Sequence, residues 1–167
     1  MLSPIIRAAM AASLLVVWSV PASAQQALSS EEVQAEAEAR ATIDRYYRLF
    51  SEHRMDELPD GIFHIPWVVI GGGGVNADTS REEALARFEG SLANLLEQGW
   101  QRSEFTITNV CVLNANAAIV SGYNTRYHEE GSEMSVGGVS YLLGKDGDQW
   151  KIISYTGHPR ERVVRCD

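Results

Sequence analysis

The strongest indication of the fold lies in residues 101–157, which read QRSEFTITNVCVLNANAAIVSGYNTRYHEEGSEMSVGGVSYLLGKDGDQWKIISYTG. Apolar and polar residues alternate here with the period of two that is typical of half-buried β-strands. Short runs that contain Gly, Asn or Asp interrupt the alternation, as tight hairpin turns require. Because such short connections join neighbouring strands, the segment predicts an antiparallel meander. Its strands are expected at about 102–113, 117–128, 133–145 and 149–157.

The first of two predicted helices precedes this meander. Residues 29–32 read SSEE, an S-x-x-E capping box that begins a helix expected to run to about His53. Ile43, Tyr47 and Phe50 follow one another at positions i, i+4 and i+7 and form an apolar stripe. The stripe predicts that one side of this helix packs on the core.

A second helix is expected between the capping box at 79–82 (TSRE) and Gly99, which stands where a helix-ending glycine belongs. The apolar run at 62–70 between the helices predicts a strand, and 75–77 predicts a short return strand. Pro66 cannot donate a ladder hydrogen bond, so an edge position or a bulge is expected there. Helices that precede a meander indicate an α+β fold rather than a parallel α/β sheet.

The order of these elements resembles that of the nuclear transport factor 2-like superfamily, which includes SnoaL-like polyketide cyclases and ketosteroid isomerases. The resemblance covers residues 30–157 and is carried by AIVSG at 118–122, YLL at 141–143 and WKI at 150–152. It implies an α+β fold in which a curved mixed or antiparallel sheet wraps around the N-terminal helices as a cystatin-like cone. It also implies an apolar pocket and, often, dimerisation through the outer face of the sheet. This architecture hosts enzymes, binders and assembly modules, so the fold alone assigns no function.

Residues 1–24 have the three regions of a secretory signal peptide. Arg7 precedes an apolar run at 8–17, Pro21 follows the run, and residues 22–24 (ASA) form a small-x-small cleavage site. A membrane anchor is the alternative, but crossing a bilayer takes about 20 apolar residues. We therefore expect a cleavable signal peptide and a periplasmic or secreted protein.

Cleavage after Ala24 leaves residues 25–167 as a single nuclear transport factor 2-like domain. The chain carries 14 Lys and Arg against 22 Asp and Glu, a formal net charge of −8, which disfavours binding to nucleic-acid phosphates. The expected partners are a small apolar molecule and a second copy of the chain. No nucleic acid and, after cleavage, no membrane is expected as a partner.

No metal or other cofactor is expected, because the four histidines lack paired ligand spacing and there is no Cys-x-x-Cys. Cys111 and Cys166 are the only two cysteines. An oxidising compartment permits a disulfide between them. The alternative is a buried Cys111 on a strand and a free Cys166 near the C-terminus.

Hairpin geometry predicts which side chains line the concave face of the sheet. Turns at 129–132 and 145–148 would place Thr156 and four further polar side chains on the same, otherwise apolar, face. Buried polar groups need partners, and a ligand is one such partner. Arg126 is suited to hold a carboxylate, unless it forms an ion pair with Glu104 or Glu133. The expected ligand-binding residues are these four, one from the first helix and one from the first strand: Asn124, Arg126, Tyr141, Ser154, Tyr47 and Trp67.

Three functions fit the sequence. The leading one is an exported protein that binds a small molecule in an apolar pocket. The second is an isomerase, cyclase or dehydratase with His64 or Asp60 as the general base. Ketosteroid isomerases, which the chain resembles, place a carboxylate base in this part of the fold.

The third function is a non-catalytic dimerisation or assembly module. It would use an apolar and aromatic outer sheet face, because such a face suggests a partner. In the alternative interpretation, residues 160–167 cover that face. The tyrosines expected on it are Tyr123, Tyr127 and Tyr155.

Overall fold

A computed structural model describes residues 28–166 of the chain. The signal peptide expected at 1–24 lies outside these residues. In chain order the described elements are α1 (Ser30–Ser51), a 3₁₀ turn (Met55–Glu57), β1 (Phe63–Gly71), β2 (Gly74–Asp78), α2 (Arg81–Glu97), β3 (Trp100–Asn114), β4 (Ala117–His128), β5 (Glu133–Asp146) and β6 (Gln149–His158). None of the described helices is long and apolar enough to cross a membrane.

The first helix, α1, begins at the capping box that the sequence predicts. The Glu32 backbone N–H donates to Ser29 Oγ at 3.3 Å, and the Ser29 N–H donates to the Glu32 carboxylate at 2.8 Å. The predicted apolar stripe is buried. The helix ends two residues before the expected His53, whose φ of 60° cannot continue a right-handed helix.

The second helix, α2, begins one residue later than predicted. Its N-cap is Ser80, whose Oγ accepts from the Glu83 N–H at 3.2 Å, so the expected box at 79–82 is wrong by one position. The Glu83 carboxylate accepts instead from the Thr79 N–H at 2.7 Å. Gly99 follows the helix with a φ of 78°, as predicted for a glycine that ends a helix.

The six described strands form one mixed sheet in the order β2-β1-β6-β5-β4-β3. β3 to β6 form the predicted antiparallel meander, whereas β1 runs parallel to β6. β1 lies between β2 and β6, so Pro66 is not at an edge and marks a bulge between Phe63 and Val68. Further bulges in β3 and β6 help to curve the open sheet, which is the α+β architecture that the sequence predicts.

The β4–β5 hairpin has the predicted register from Arg126 opposite Ser135 to Gly122 opposite Val139. Nearer the turn the prediction is wrong, because a register shift after Arg126 pairs Glu133 with Tyr127 instead of with His128. The β5–β6 hairpin differs. Asp146 pairs with Gln149, so its turn has two residues and the expected four-residue turn at 145–148 is wrong. An Asp-Gly-Asp sequence accepts either turn, because Gly147 supplies the positive φ, 60°, that the shorter one requires.

A bulge in β6 then turns the side chains in the second half of this strand to the opposite faces of the sheet. Leu143 pairs with Ile152, but Leu142 pairs with Ser154 and Tyr141 with Tyr155. The placement of Ser154 on the concave face is therefore wrong, because one extra residue turns every later side chain over. Tyr155 takes the concave position instead.

The residues that follow β6 cross the outer face of the sheet. Cys166 forms a disulfide with Cys111 on β3, which confirms the bonded alternative. The Arg160 guanidinium lies 4.1 Å from the centre of the Tyr123 ring on β4. Part of the outer face is thus covered by the C-terminal residues, while Leu142 is 38% exposed on the same face. The homodimer through this face stays a prediction.

Candidate functional site

An aromatic layer fills the space between α1 and the concave face of the sheet. Its rings touch in sequence, with centroid distances of 5.5 Å from Trp67 to Tyr155, 5.8 Å from Tyr155 to Tyr141, and 5.4 Å from Tyr141 to Phe105. Tyr47 of α1 stacks on Phe105 at 5.0 Å. The structure therefore brings the predicted residues Tyr47, Trp67 and Tyr141 into one layer.

The Tyr47 and Tyr141 hydroxyls form a buried pair 2.7 Å apart. One hydroxyl proton makes this hydrogen bond, which leaves the other available to an acceptor. Burial raises the pKa of both phenols, so both stay protonated at neutral pH. The pair is thus a neutral hydrogen-bond donor within an apolar layer.

Asn124 and Arg126 lie beside this layer, on β4. Asn124 pairs across the sheet with Phe105, whose ring stacks on Tyr47. Asn124 Oδ1 and Arg126 Nε are both buried, and neither has a hydrogen-bond partner among the described residues. Buried polar atoms nearly always form hydrogen bonds. Two such atoms without partners on one strand therefore indicate a missing hydrogen-bonding group.

Arg126 has no carboxylate within salt-bridge distance in the part of the chain that the structure describes. The alternative ion pair with Glu104 or Glu133 is therefore wrong for this structure. Glu104 pairs instead with Arg102 on its own strand. Arg126 is left as a half-buried cation whose charge no described side chain neutralises.

A surface cleft of about 480 Å³ opens beside Arg126, between β4 and α2. The helix lines it with Arg87, Ser91 and Asn94, together with small and apolar residues, and the C-cap residue Gln98 completes this side. The cleft thus offers hydrogen-bonding side chains next to the uncompensated cation. It lies at the rim of the aromatic layer rather than inside it.

The second arginine of the cleft is already paired. Arg87 donates through Nε and Nη2 to the two carboxylate oxygens of Asp78, at 2.5 and 2.7 Å. This bidentate hydrogen bonding raises the pKa of Arg87, and the Asp78 side chain is only 5% exposed. Arg126 is consequently the arginine in the cleft that is available to hold an anion.

Tyr155 belongs to the aromatic layer and is also affected by the arginines of the cleft. Burial raises its pKa, and the positive charges of Arg87 and Arg126 partly oppose that rise. Its ring contacts Trp67, whose indole Nε1 is a further buried donor without a partner among the described residues. Besides the free proton of the tyrosine pair, the site therefore holds two buried donors, Trp67 Nε1 and Arg126 Nε, and one buried acceptor, Asn124 Oδ1, without partners among the described residues.

The two expected general bases lie elsewhere. His64 follows the buried Phe63 on β1, and its Nδ1 lies 3.2 Å from the carbonyl oxygen of Pro66 on the same strand. The Asp60 carboxylate is exposed and pairs with Arg81 at 3.3 Å. The partners of both lie outside the aromatic layer, and no described hydrogen bond or ion pair joins either of them to the other predicted residues.

Sequence reasoning misses three contributors to the site. The alternation of residues assigns Tyr155 to the outer face, because the bulge in β6 leaves no mark in that pattern. Arg87 and Asp78 lie on different elements, and a separation of nine residues is not a recognisable pair spacing. Within residues 28–166, no cluster of three or more His, Cys, Asp or Glu side chains is arranged to hold a metal.

Several proteins of known structure share this architecture at low sequence identity. An NTF-2 like protein of unknown function from Shewanella oneidensis MR-1 has a TM-score of 0.60 at 17% identity, covering 72% of this chain and 96% of its own. The protein Aln2 from a Streptomyces species has a TM-score of 0.61 at 17% identity, covering 81% and 95%. A Catenulispora acidiphila protein in complex with S-DNPA has a TM-score of 0.60 at 17% identity, covering 75% and 92%.

Sequence identities this low establish a shared fold and do not establish a shared function. A neighbour from Novosphingobium aromaticivorans is described as NTF2-like with a cystatin-like fold, which is the cone that the sequence predicts. No curated protein matches the chain. Residues 35–160, most of the chain, match the family described as NTF2-like protein (DUF6841). The chain therefore belongs to this NTF2-like family.

Proposed function

We propose that the protein binds a small, mostly apolar molecule that carries a carboxylate or another oxyanion. The observation that carries the proposal is the pair of buried, unpartnered polar atoms on β4, Asn124 Oδ1 and Arg126 Nε. A ligand with an anionic oxygen would satisfy Arg126, and a hydroxyl or N–H beside that oxygen would satisfy Asn124. Charge-assisted hydrogen bonds of this kind are about twice as strong as neutral ones.

The apolar part of the ligand is assigned to the rim of the aromatic layer. Phe105 pairs with Asn124 across the sheet, and the positive charge of Arg126 partly opposes the rise in the pKa of Tyr155 that burial causes. Aromatic rings offer flat, rigid surfaces that stack on a cyclic ligand. This arrangement supports a ligand with a ring or a short chain attached to its acidic group.

An enzymatic function of the isomerase, cyclase or dehydratase type is less well supported. Its proposed bases, His64 and Asp60, are engaged away from Arg126, with the Pro66 carbonyl and with Arg81. General-base catalysis requires the base within hydrogen-bond reach of the substrate, directly or through one water. We therefore propose a binding protein in preference to such an enzyme.

We also propose that the protein is exported. The signal peptide expected at 1–24 motivates this, and the disulfide between Cys111 and Cys166 supports it, since such bonds persist mainly in oxidising compartments. Expression of the full chain in a Gram-negative bacterium, followed by cell fractionation and intact-mass measurement, tests it. We expect a periplasmic protein that begins at residue 25, whereas an uncleaved cytoplasmic protein would contradict export.

A thermal-shift screen tests the binding proposal. The probes are 1-naphthoate and decanoate, each compared with its neutral alcohol, 1-naphthalenemethanol or 1-decanol. A ligand at 100 times its Kd adds about 2.7 kcal/mol to the free energy of unfolding, which is a shift of several degrees. We expect the acids to raise the Tm and the alcohols to have little effect.

Two substitutions make the screen specific. Arg126→Met keeps the aliphatic part of the side chain and removes its charge. Arg40→Met is the matched control, because Arg40 is an α1 arginine that pairs with Glu36 at 2.7 Å. We expect the acid-induced shift to disappear in Arg126→Met and to persist in Arg40→Met. Equal shifts for acids and alcohols, or no shift with either acid, would contradict the proposal.

A further inference from the structure

Residues 159–166, which we call the strap, are tied to the outer face of the sheet. The Val164 N–H donates to Ser121 Oγ on β4 at 2.9 Å, and Asn109 Nδ2 on β3 donates to the Val164 carbonyl at 3.2 Å. Arg160 stacks on Tyr123. These anchors are individually weak, so the disulfide at the end of the strap is a major part of what holds it.

The two sulfurs of that disulfide differ in accessibility. Cys111 lies in β3 and is 6% exposed, whereas Cys166 lies at the end of the strap and is exposed. A thiolate that attacks a disulfide needs access to one sulfur, and the other sulfur leaves with the electron pair of the broken bond. Access therefore favours attack at Cys166 and departure of Cys111.

Asn109 is placed to assist that departure. Its Nδ2 lies 3.2 Å from Cys111 Sγ and 3.3 Å from Cys166 Sγ. A hydrogen bond donated to sulfur stabilises the negatively charged thiolate more than the neutral disulfide. Thiols with a lower pKa are better leaving groups in exchange reactions. The side chain thus offsets part of the cost of forming a thiolate at a buried position.

We propose that Cys111–Cys166 is a thiol-exchange site through which a small thiol releases the strap from the folded protein. The attacking thiolate forms a new S–S bond with Cys166 Sγ, while the original S–S bond breaks and Cys111 Sγ keeps its electron pair. A second thiolate then attacks the mixed disulfide and frees Cys166 as a thiolate. Two small thiols are oxidised to one disulfide, and the protein gains the two electrons.

Release of the strap uncovers a buried chain of hydrogen bonds on the outer face. Ser121 Oγ and Ser140 Oγ lie 2.6 Å apart, and Ser140 Oγ lies 2.9 Å from His158 Nε2. Ser121 and Ser140 are 0% and 5% exposed while the strap is in place. Their hydroxyls reach water once it leaves, so the two redox states present different outer surfaces to other molecules.

Reaction with glutathione tests the proposal on the intact protein. Folded protein is incubated with reduced glutathione, the reaction is stopped with acid, and the adduct is located by peptide mapping. Near-UV circular dichroism reports whether the fold persists. We expect one glutathione on Cys166 while the near-UV spectrum is kept. An adduct on Cys111, or no adduct unless the protein is unfolded, would overturn the proposal.

The role of Asn109 as a positioning residue has its own test. In the Cys166→Ser variant the strap carries no disulfide, and the Cys111 thiol is titrated by its thiolate absorbance in the far ultraviolet. We expect a higher pKa for Cys111 after Asn109→Leu and no change after the matched control Asn76→Leu, on the exposed strand β2. Asn109→Thr replaces Asn109→Leu if the latter does not fold. An unchanged pKa would overturn this role.

Discussion

Asn124 and Arg126 lie two positions apart on β4 and point to the same concave face, yet their buried acceptor and donor do not bond to each other. Neighbouring side chains that can satisfy one another usually do so, because an unpaired buried polar atom costs about 1–3 kcal/mol. Here neither atom has a partner among the described residues, and the Arg126 side chain also lines the cleft. The two atoms are therefore expected to form hydrogen bonds with a ligand.

This arrangement predicts that Arg126→Met stabilises the protein in the absence of ligand. The substitution removes an unpaired cation and its buried Nε, and keeps most of the apolar packing. We expect a gain of about 1 kcal/mol in the free energy of unfolding, measured by urea denaturation. Arg40→Met, which breaks an exposed ion pair, should change stability by less than about 0.5 kcal/mol. A loss of stability in Arg126→Met would show that the guanidinium has a structural partner.

The Tyr47–Tyr141 pair predicts strong coupling between two substitutions. Tyr47→Phe or Tyr141→Phe leaves the remaining buried hydroxyl without its partner, and each should cost about 1–3 kcal/mol. The double variant removes both hydroxyls and should cost less than the sum of the two. A double-mutant cycle from chemical denaturation measures the difference. Additive costs would mean that the hydroxyls do not depend on each other.

Removing one partner of the Asp78–Arg87 ion pair should destabilise the protein more than removing the other. The Asp78 side chain is 5% exposed and that of Arg87 is 36% exposed. Arg87→Met leaves a buried carboxylate without its partner and should lower the free energy of unfolding by about 2–4 kcal/mol. Asp78→Asn leaves an arginine that water can reach and should lower it less. Urea denaturation of both variants compares them. The reverse order would contradict the burial of Asp78.

Glu38 predicts a pH-dependent contact between α1 and β6. Its carboxylate accepts from the Trp150 indole N–H at 2.7 Å, and hydrogen bonds from Gln34 and then Trp150 lower its pKa from the ordinary 4.5. A lowered pKa means that the contact is fully present above pH 4.5 and is lost as the pH falls through the lower, folded-state value.

The chemical shift of the Trp150 indole N–H, followed by NMR from about pH 7 downward, checks this expectation. We expect it to stay constant to below pH 4.5 and then to move. In the Glu38→Gln variant this acid transition should be absent. A transition above pH 4.5, or one that survives in Glu38→Gln, would assign the shift to another group.

Much of the fold is predictable because its signals are local. The Ser29 capping box, the Gly99 helix end and the alternation along β4 each act over a few residues, and each appears in the structure as predicted. The parallel pairing of β1 with β6 has no local signal, since it joins segments that are far apart in the sequence. Only the resemblance to a family of curved, mixed sheets points toward it.

The candidate site is predictable only up to the bulge in β6. Counting from a turn at 129–132 puts Asn124 and Arg126 on the correct face, because the register shift between Tyr127 and Arg126 restores the pairing that this turn predicts. Ser154 and Tyr155 lie beyond the bulge, and the same counting assigns each of them to the wrong face of the sheet. A bulge adds one residue without changing composition, so the polar and apolar pattern alone does not locate it.

Calorimetric titration measures whether Arg126 anchors the acidic group of a ligand. The acid with the larger thermal shift, 1-naphthoate or decanoate, is titrated into the wild-type protein, Arg126→Met and Arg40→Met. A hydrogen bond between charged groups contributes about 1.5–3 kcal/mol, so we predict a Kd at least tenfold weaker in Arg126→Met and an unchanged Kd in Arg40→Met. An equal Kd in the wild type and Arg126→Met would show that Arg126 does not hold the acidic group.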